Sequence, residues 1–420
     1  MNNSKLKESN IKWLGKIPDN WKTIKFNALY DLRNEKVSDK DFPPLSVTKM
    51  GIVPQLSNAA KTNNGDNRKL VEIGDFAINS RSDRRGSCGI SKYEGSVSLI
   101  NTVLKPINRE MNPRYYGWLF KTVEFADEFY KWGHGIVDDL WTTNWQDMKN
   151  ITLVCPSKTE QNKIADFLDK KVLQIDDISK KIQQEITDLE KYRKSIITKA
   201  VTKGLNPNVP MKNSNISWIG EVPSNWHIEK LKFIAETRNN KELLSNVQNN
   251  YIGLENIVKN TGQYVCSNTT YEEGYYDVCK KGDILYGKLR PNLSKVLVAP
   301  FDSCCSGEFL IFKSAKINLK YLFYYLLSQG ITEIATSAIY GTKMPRVSWD
   351  FIKNLFISFP PKNEDQKEIV NYLDIQCNKI DSILKNKHIL LKKLNQYKQS
   401  IIYEYVTGKK QVPTEEGVQE

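Results

Sequence analysis

"WLGKIPDNW" at 13–21 returns as "WIGEVPSNW" at 218–226. Both tryptophans, the glycine and the proline keep their places, 205 residues on. The same displacement relates "EQNKIADFLD" at 160–169 to "DQKEIVNYLD" at 365–374, and "KYRKSII" at 191–197 to "QYKQSII" at 396–402. "VTKG" from Val201 and "VTGK" from Val406 complete the series. A period this long marks a duplicated domain rather than a solenoid of short repeats. Each half therefore runs in one order: a Trp–Pro–Trp phrase, a divergent stretch, then a long charged segment.

The charged segments read as helices. In the first, Ile164, Leu168, Ile175, Ile178, Ile182, Leu189, Tyr192 and Ile196 recur mostly in steps of three and four or their sums. Ile369, Leu373, Ile380, Ile383, Leu390, Leu394, Tyr397 and Ile401 form the second stripe. Pro156 and Pro360–Pro361 precede the segments, and Gly204 and Gly408 follow them, which is helix punctuation. About 45 residues at 1.5 Å each give roughly 65 Å per helix. Each stripe needs a cover, and the duplication supplies one matching helix. A pseudo-two-fold axis makes that pair antiparallel, with one divergent domain at each end. Lys171, Glu185 and Lys387 interrupt the seam. The alternative is two separate helices, each packed on its own domain.

The divergent stretches, about 22–155 and 227–358, carry short β-like runs such as "LVEIGDFAINS", "SVSLINTVL", "GDILYGKL" and "KVLVAPF". Helical pieces, "RYYGWLFKTVEF" and "LKYLFYYLLSQ", interleave with them. Repeated ends around unlike middles suggest two modules of one fold that read different things. The expected class is α+β: two mixed α/β domains and two long helices in an antiparallel coiled coil. The expected boundaries are 1–155, 156–205 (central helix), 206–358, 359–410 (distal helix) and a polar tail at 411–420.

Composition narrows the partner. Of 420 residues, 40% are hydrophobic and 26% charged, a globular balance, and the net charge is +13. That excess favours a polyanion, nucleic acid first; the alternative is a generally basic surface. "MNNSKLKESN" lacks a signal-peptide hydrophobic region, and no run approaches the ~20 apolar residues of a membrane span. Seven scattered cysteines without a C-x-x-C pair argue against a disulfide framework or structural zinc. Reduced thiols in a cytoplasm are the expectation, with Cys304 and Cys305 as small buried hydrophobes.

Two segments carry side chains suited to DNA. "NSRSDRRGS" offers Asn79, Ser80, Arg81, Ser82, Arg84, Arg85 and Ser87. Arginine bonds bidentately to guanine, asparagine reads adenine, and serine holds phosphate. Gly86 and Gly89 allow close backbone approach, and Asp83 orients an arginine or accepts from cytosine. Lys49 in "SVTKMG" is a further cation. In the second domain "YGKLRPN" sets Tyr286, Lys288, Arg290 and Asn292 at alternate positions, one face of a strand edge. "YGTKMPR" adds Lys343 and Arg346, and "GLEN" adds Glu255 and Asn256. The counterpart of "YGTKMPR" in the first domain is "GHGIVDDLW", so the domains differ there. The competing account of each segment is a solvated loop or sheet face without a ligand. For Trp13, Trp21, Trp218 and Trp226, packing at module boundaries is preferred over base stacking.

With these motifs in this order twice, the chain resembles the specificity (S) subunit of Type I restriction-modification systems. "GDFAINSRSDRRGSCGIS" at 74–91 and "GDILYGKLRPNLSKV" at 282–296 also look like segments of that family's target recognition domains. The resemblance implies that each domain reads one half of a bipartite site in double-stranded DNA. It implies that the helices act as a ruler and as a dock for two methyltransferase subunits, with restriction subunits added for cleavage. It further implies a non-catalytic chain that binds no cofactor itself. S-adenosylmethionine would belong to the methyltransferase partner, and ATP with Mg²⁺ to a restriction partner. Neither a G-x-x-x-x-G-K-[ST] loop nor a D/N-P-P-Y/F motif occurs, and the three histidines form no triad. A divergent single-chain nuclease and a scaffold without a DNA role remain the alternatives.

Overall fold

The computed structural model describes residues 5–55, 65–81, 85–135, 141–247, 250–267, 269–339 and 344–413. Two compact units emerge: Met1–Ile182 with Ile389–Glu420, and Gln183–His388. Among the described residues no helix is long and apolar enough to cross a membrane.

The first unit is built on an antiparallel sheet of β1 (Tyr30–Leu32), β2 (Phe76–Asn79), β3 (Cys88–Ile90) and β4 (Asn101–Pro106), in the order β3-β2-β4-β1. The second unit repeats it with β5 (Ala235–Thr237), β6 (Ile284–Gly287), β7 (Val296–Val298) and β8 (Phe309–Ala315), in the order β7-β6-β8-β5. The divergent middles thus share one topology. Behind the first sheet pack α1 (Pro113–Leu119) and α2 (Val123–Lys131). The core between them is aromatic, with Phe76 and Phe120 ring centres 4.4 Å apart and Phe120 and Phe125 4.7 Å apart. The helical piece read from sequence is two helices, because the Thr122 side chain caps a second one at Phe125 N.

The two long helices, α3 (Lys158–Lys203) and α5 (Asn363–Val406), each contribute to both units. In the first unit Phe167 stacks near Tyr405 and Asp176 pairs with Lys398 at 2.6 Å. In the second Glu185 pairs with Lys387, and Arg193 with Asp381. Residue numbers rise on one helix as they fall on the other, so the pairing within each unit is antiparallel. The seam differs in detail from the expected stripes. Val172, Ile186 and Arg193 are buried in it, whereas Ile178, Tyr192, Ile383, Leu390 and Tyr397 are exposed. Steps of three and four generate both sets, so spacing alone does not choose the buried one.

The repeated motifs are joints. Gln161 and its counterpart Gln366 are almost wholly buried. Each amide oxygen accepts at 2.7 Å from the backbone of the asparagine capping the first helix behind the sheet, Asn112 for α1 and Asn318 for α4 (Leu319–Leu327). Each amide nitrogen donates to a proline carbonyl before the long helix, Pro156 or Pro360. Asp169 accepts from Trp118 and Arg114, and Asp374 from Tyr324 and Lys320. The buried hydroxyl of Tyr115 donates to Val406 O, and that of Tyr321 to Val201 O. The helix ends therefore cross over: the first unit holds the end of α5, the second the end of α3.

Gly408 and Gly204 close these ends at φ +71° and +74°, conformations glycine adopts at no steric cost. A Cβ on Gly408 would meet Trp21 and Pro18, and one on Gly204 would meet Trp226. Each Trp–Pro–Trp phrase is thus a clasp for a long helix's C-terminus. Trp13 adds an edge contact to Phe125, and Trp218 one to Tyr325.

Candidate nucleic-acid interface

Two hairpin loops of equal length join equivalent strands: residues 80–87 between β2 and β3, and 288–295 between β6 and β7. Both turn through a left-handed residue at the same place, Gly86 (φ +76°) and Ser294 (φ +43°). Both are pinned by a second segment: Arg81 bridges Thr142, and Leu289 bridges Arg346. The two cation-bearing stretches singled out from sequence are therefore one structural element in two copies.

Of the first loop, Ser82 and Arg84, like Asp83 beside them, lie outside the described residues. Arg81 is exposed. Arg85 forms an ion pair with Asp127 of α2, and its guanidinium carbon sits 4.8 Å from the centre of the Tyr130 ring. Tyr130 in turn stacks on Trp141 at 5.5 Å. Asn79 and Ser87 are buried rather than groove-facing. The Asn79 side chain accepts from Arg81 N at 3.0 Å, and its backbone N–H donates to Ser87 O. Ser80 Oγ is 2.8 Å from Thr102 Oγ1. The Asn79 side chain thus shapes the loop, because a polar side chain at a strand end competes for local backbone groups, and Ser80 ties the loop's start to β4. An apolar cleft behind the loop is lined by Phe125, Phe129, Tyr130 and Trp141.

Lys49 is exposed in the tight turn between strands Leu45–Thr48 and Gly51–Pro54. A Cβ on Gly89 would lie 2.9 Å from Gly51 Cα. The closeness that Gly89 permits is thus to this hairpin. His134 pairs with Asp147 at 3.0 Å, a surface contact.

In the second unit the expected alternation fails. Tyr286 is 3% exposed and sits in the core, where burial raises its hydroxyl pKa well above the ordinary value. The strand ends at Gly287. Arg290 is left-handed (φ +51°), and Pro291–Leu293 form a 3₁₀ turn. With the strand over and proline unable to donate to a ladder, Arg290 and Asn292 are presented by a turn, not a strand face. Both are exposed, and Lys288 is half-buried at the loop's root. Lys343 lies outside the described residues. Arg346 is paired with Glu308, which it holds below the usual carboxylate pKa. Glu255 accepts from Tyr271, and Asn256 is buried as a turn-forming residue.

Sequence reasoning missed the pairs that brace each sheet. Arg33 grips Asp75 at 2.7 and 3.1 Å, and Arg238 grips Asp283 at 2.8 and 3.2 Å. The signal was available: "RN" recurs at the 205-residue displacement, and both aspartates belong to the "GD" echo. Among the described residues no cluster of His, Cys, Asp and Glu forms a metal cage, and all seven cysteines are free.

A family model described as Type I restriction modification DNA specificity domain matches residues 18–188 and again 223–409. The specificity subunit of the Type I restriction enzyme EcoDI of Escherichia coli is 24% identical over 420 residues, covering 94% of this chain and 89% of that one. The MjaVIII specificity subunit of Methanocaldococcus jannaschii is 26% identical over 337 residues, 75% of this chain and 74% of the relative. A solved chain from work on complex assembly and conformational transition of the type I R-M system superposes with a TM-score of 0.69 at 12% identity, over 94% of this chain and 99% of that one. The HsdS subunit of Thermoanaerobacter tengcongensis does so at 0.52 with 14% identity, over 94% and 98%. These solved chains share the fold.

Proposed function

The chain belongs to the Type I restriction-modification DNA specificity family, and from that premise we propose that it is the specificity subunit of such a complex, each unit reading one half of a bipartite duplex site. The observation that carries this reading is the paired hairpin loop. Equivalent strands present Arg81 and Arg85 in one unit and Lys288, Arg290 and Asn292 in the other, on sheets of one topology. Arginine and lysine at a loop tip supply phosphate attraction and base contacts together. Ser82, Arg84 and Lys343 belong to the same stretches and to the same proposal. Two readers on one chain can recognise unlike half-sites, which a symmetric dimer cannot. The expected domain limits, 1–155 and 206–358 with the helices between and after, are retained as the exchangeable parts.

The long helices are the proposed ruler and the dock for two methyltransferase subunits. Ile178 and Ile383, and likewise Tyr192 and Tyr397, are repeat-related and all exposed. Apolar side chains left open at equivalent positions favour one kind of partner bound twice. The chain itself acts without catalysis, in a cytoplasmic complex, and S-adenosylmethionine is bound by the partner. Restriction subunits, with ATP and Mg²⁺, would join for cleavage.

Exchanging residues 22–155 for the equivalent stretch of a relative is expected to change one half of the methylated motif and leave the other intact. Mapping methylated adenines in cells that carry the chimera and its methyltransferase checks this; simultaneous change of both halves rules out independent readers. Arg85→Ala is expected to cost about 1–3 kcal/mol on cognate DNA alone if the side chain reads a base. A phosphate contact instead weakens cognate and random duplexes alike and lowers the salt slope by about one. Unchanged binding of both by the folded variant removes Arg85 from the interface.

A further inference from the structure

The guanidinium of Arg346 is held along one edge. Its Nε lies 3.0 and 3.1 Å from the two oxygens of Glu308, and its Nη2 lies 2.7 Å from Oε1. The same glutamate anchors the root of the hairpin, since its carbonyl accepts from Lys288 N at 2.8 Å. Lys288 O accepts from Val347 N at 3.1 Å, and Pro345 O from Arg290 N at 2.8 Å. Glu308, the loop start and residues 345–347 therefore form one hydrogen-bonded assembly at the candidate interface.

A carboxylate is an odd occupant of such a place. The pair is partly exposed, with side chains 38% and 27% accessible, and ion pairs of that kind stabilise little. Facing DNA, its negative charge opposes phosphate binding. Orientation is what it does supply. A side-on pair uses Nε–H and one Nη2–H, whereas the end-on edge of Nη1–H and the second Nη2–H matches guanine O6 and N7. Fixing the guanidinium plane beforehand removes rotamer entropy that a loose arginine loses on binding. Asp127 beside Arg85, with Tyr130 under the guanidinium, is the same kind of support in the first unit.

We infer that Glu308 is a positioning residue for DNA reading, holding Arg346 so that it selects guanine at one position of the half-site read by the second unit. This rests on the reading of residues 288–295 as interface. The full chain is tested against a pool of randomised duplexes, sequenced after selection, and against one fixed mixed-sequence duplex. Glu308→Gln keeps the shape and removes the charge. Guanine preference at one position then falls about tenfold or more, within the range of a lost bidentate contact. The mixed-sequence duplex binds more tightly and with a steeper salt dependence, because a repelling charge is gone. Arg346→Lys gives the same loss of preference, and the double variant is no worse than either.

A purely structural bridge would lower the melting temperature and weaken every duplex in proportion with all preferences intact, which overturns the inference. So does an unchanged guanine preference in Glu308→Gln when Lys288→Ala or Arg290→Ala alters that half-site. If none of these variants alters that half-site, it is the assignment of the loop to DNA that fails.

Discussion

Asp381→Ala is expected to destabilise the second unit by about 3–5 kcal/mol, the usual cost of stranding one partner of a buried ion pair. Arg193 lies inside the helix seam with 3% of its surface exposed. Its Nη2 donates to Asp381 and, at 3.2 Å, to Cys377 O, while its Nε has no partner among the described residues. Removing the carboxylate leaves a cation with one carbonyl contact in a poorly hydrated seam. Asp381 also receives Gln263 Nε2 at 2.6 Å, so a second hydrogen bond goes with it. For a unit of this size the melting temperature should fall by roughly 10 °C. Arg193→Met with Asp381→Leu should recover most of the loss, because an apolar pair of similar volume carries no desolvation cost. Calorimetry of the full chain, with hydrogen exchange to assign the transition, measures both. A cost below about 1 kcal/mol for the single variant would mean that water reaches Arg193 and screens the pair as on a surface.

The second large effect concerns length. One heptad inserted into both α3 and α5, at matched positions beside the Glu185–Lys387 pair, keeps the seam in register and adds about 10 Å. At roughly 3.4 Å per base pair this is about three base pairs, and three base pairs turn the groove by about 100°. The lengthened seam rotates far less, so one reader faces the wrong side of the duplex. Methylation at the natural sites should drop towards background. Residual activity should fall on unchanged half-sites with a longer spacer. Methylation mapping decides it: wild-type activity at the original spacer would take the ruler role away from these helices.

The duplication and the helices were legible because repeated phrases and punctuating Pro and Gly are local signals. The purpose of the repeated polar residues was not. Gln161 looks like a solvated helix-start residue until Asn112, 49 positions away, is seen to donate to it. The same holds for Asp169 and Asp374, whose partners sit on short helices behind the sheets. In the candidate site, sequence marks two stretches that fold as equivalent loops, without showing how their side chains are used. Pro291 is the neglected signal: a proline cannot donate to a strand ladder, so alternation could not run on from Tyr286 to Asn292. Tyr286 then follows its strand into the core. The Asn79 side chain serves the loop's own backbone and Ser80 a neighbouring strand, uses that composition cannot tell from recognition. The pairing of Arg346 with Glu308 depends on a contact across 38 positions, beyond any local pattern.

The crossing of the helix ends has a temporal side. Ile401, Ile402, Tyr405 and Val406 are part of the first unit's core, yet they leave the ribosome after the whole of the second unit has been made. Residues 183–388 can close as soon as they emerge, whereas the unit that begins the chain must wait, its Trp13 and Trp21 clasp open, for the last helical turns. Synthesis order and completion order are therefore reversed. Nascent chains arrested after residue 388 should yield to protease within 22–155 and resist it within 227–358. During that interval the open first core is the part of the molecule exposed to aggregation or to a chaperone.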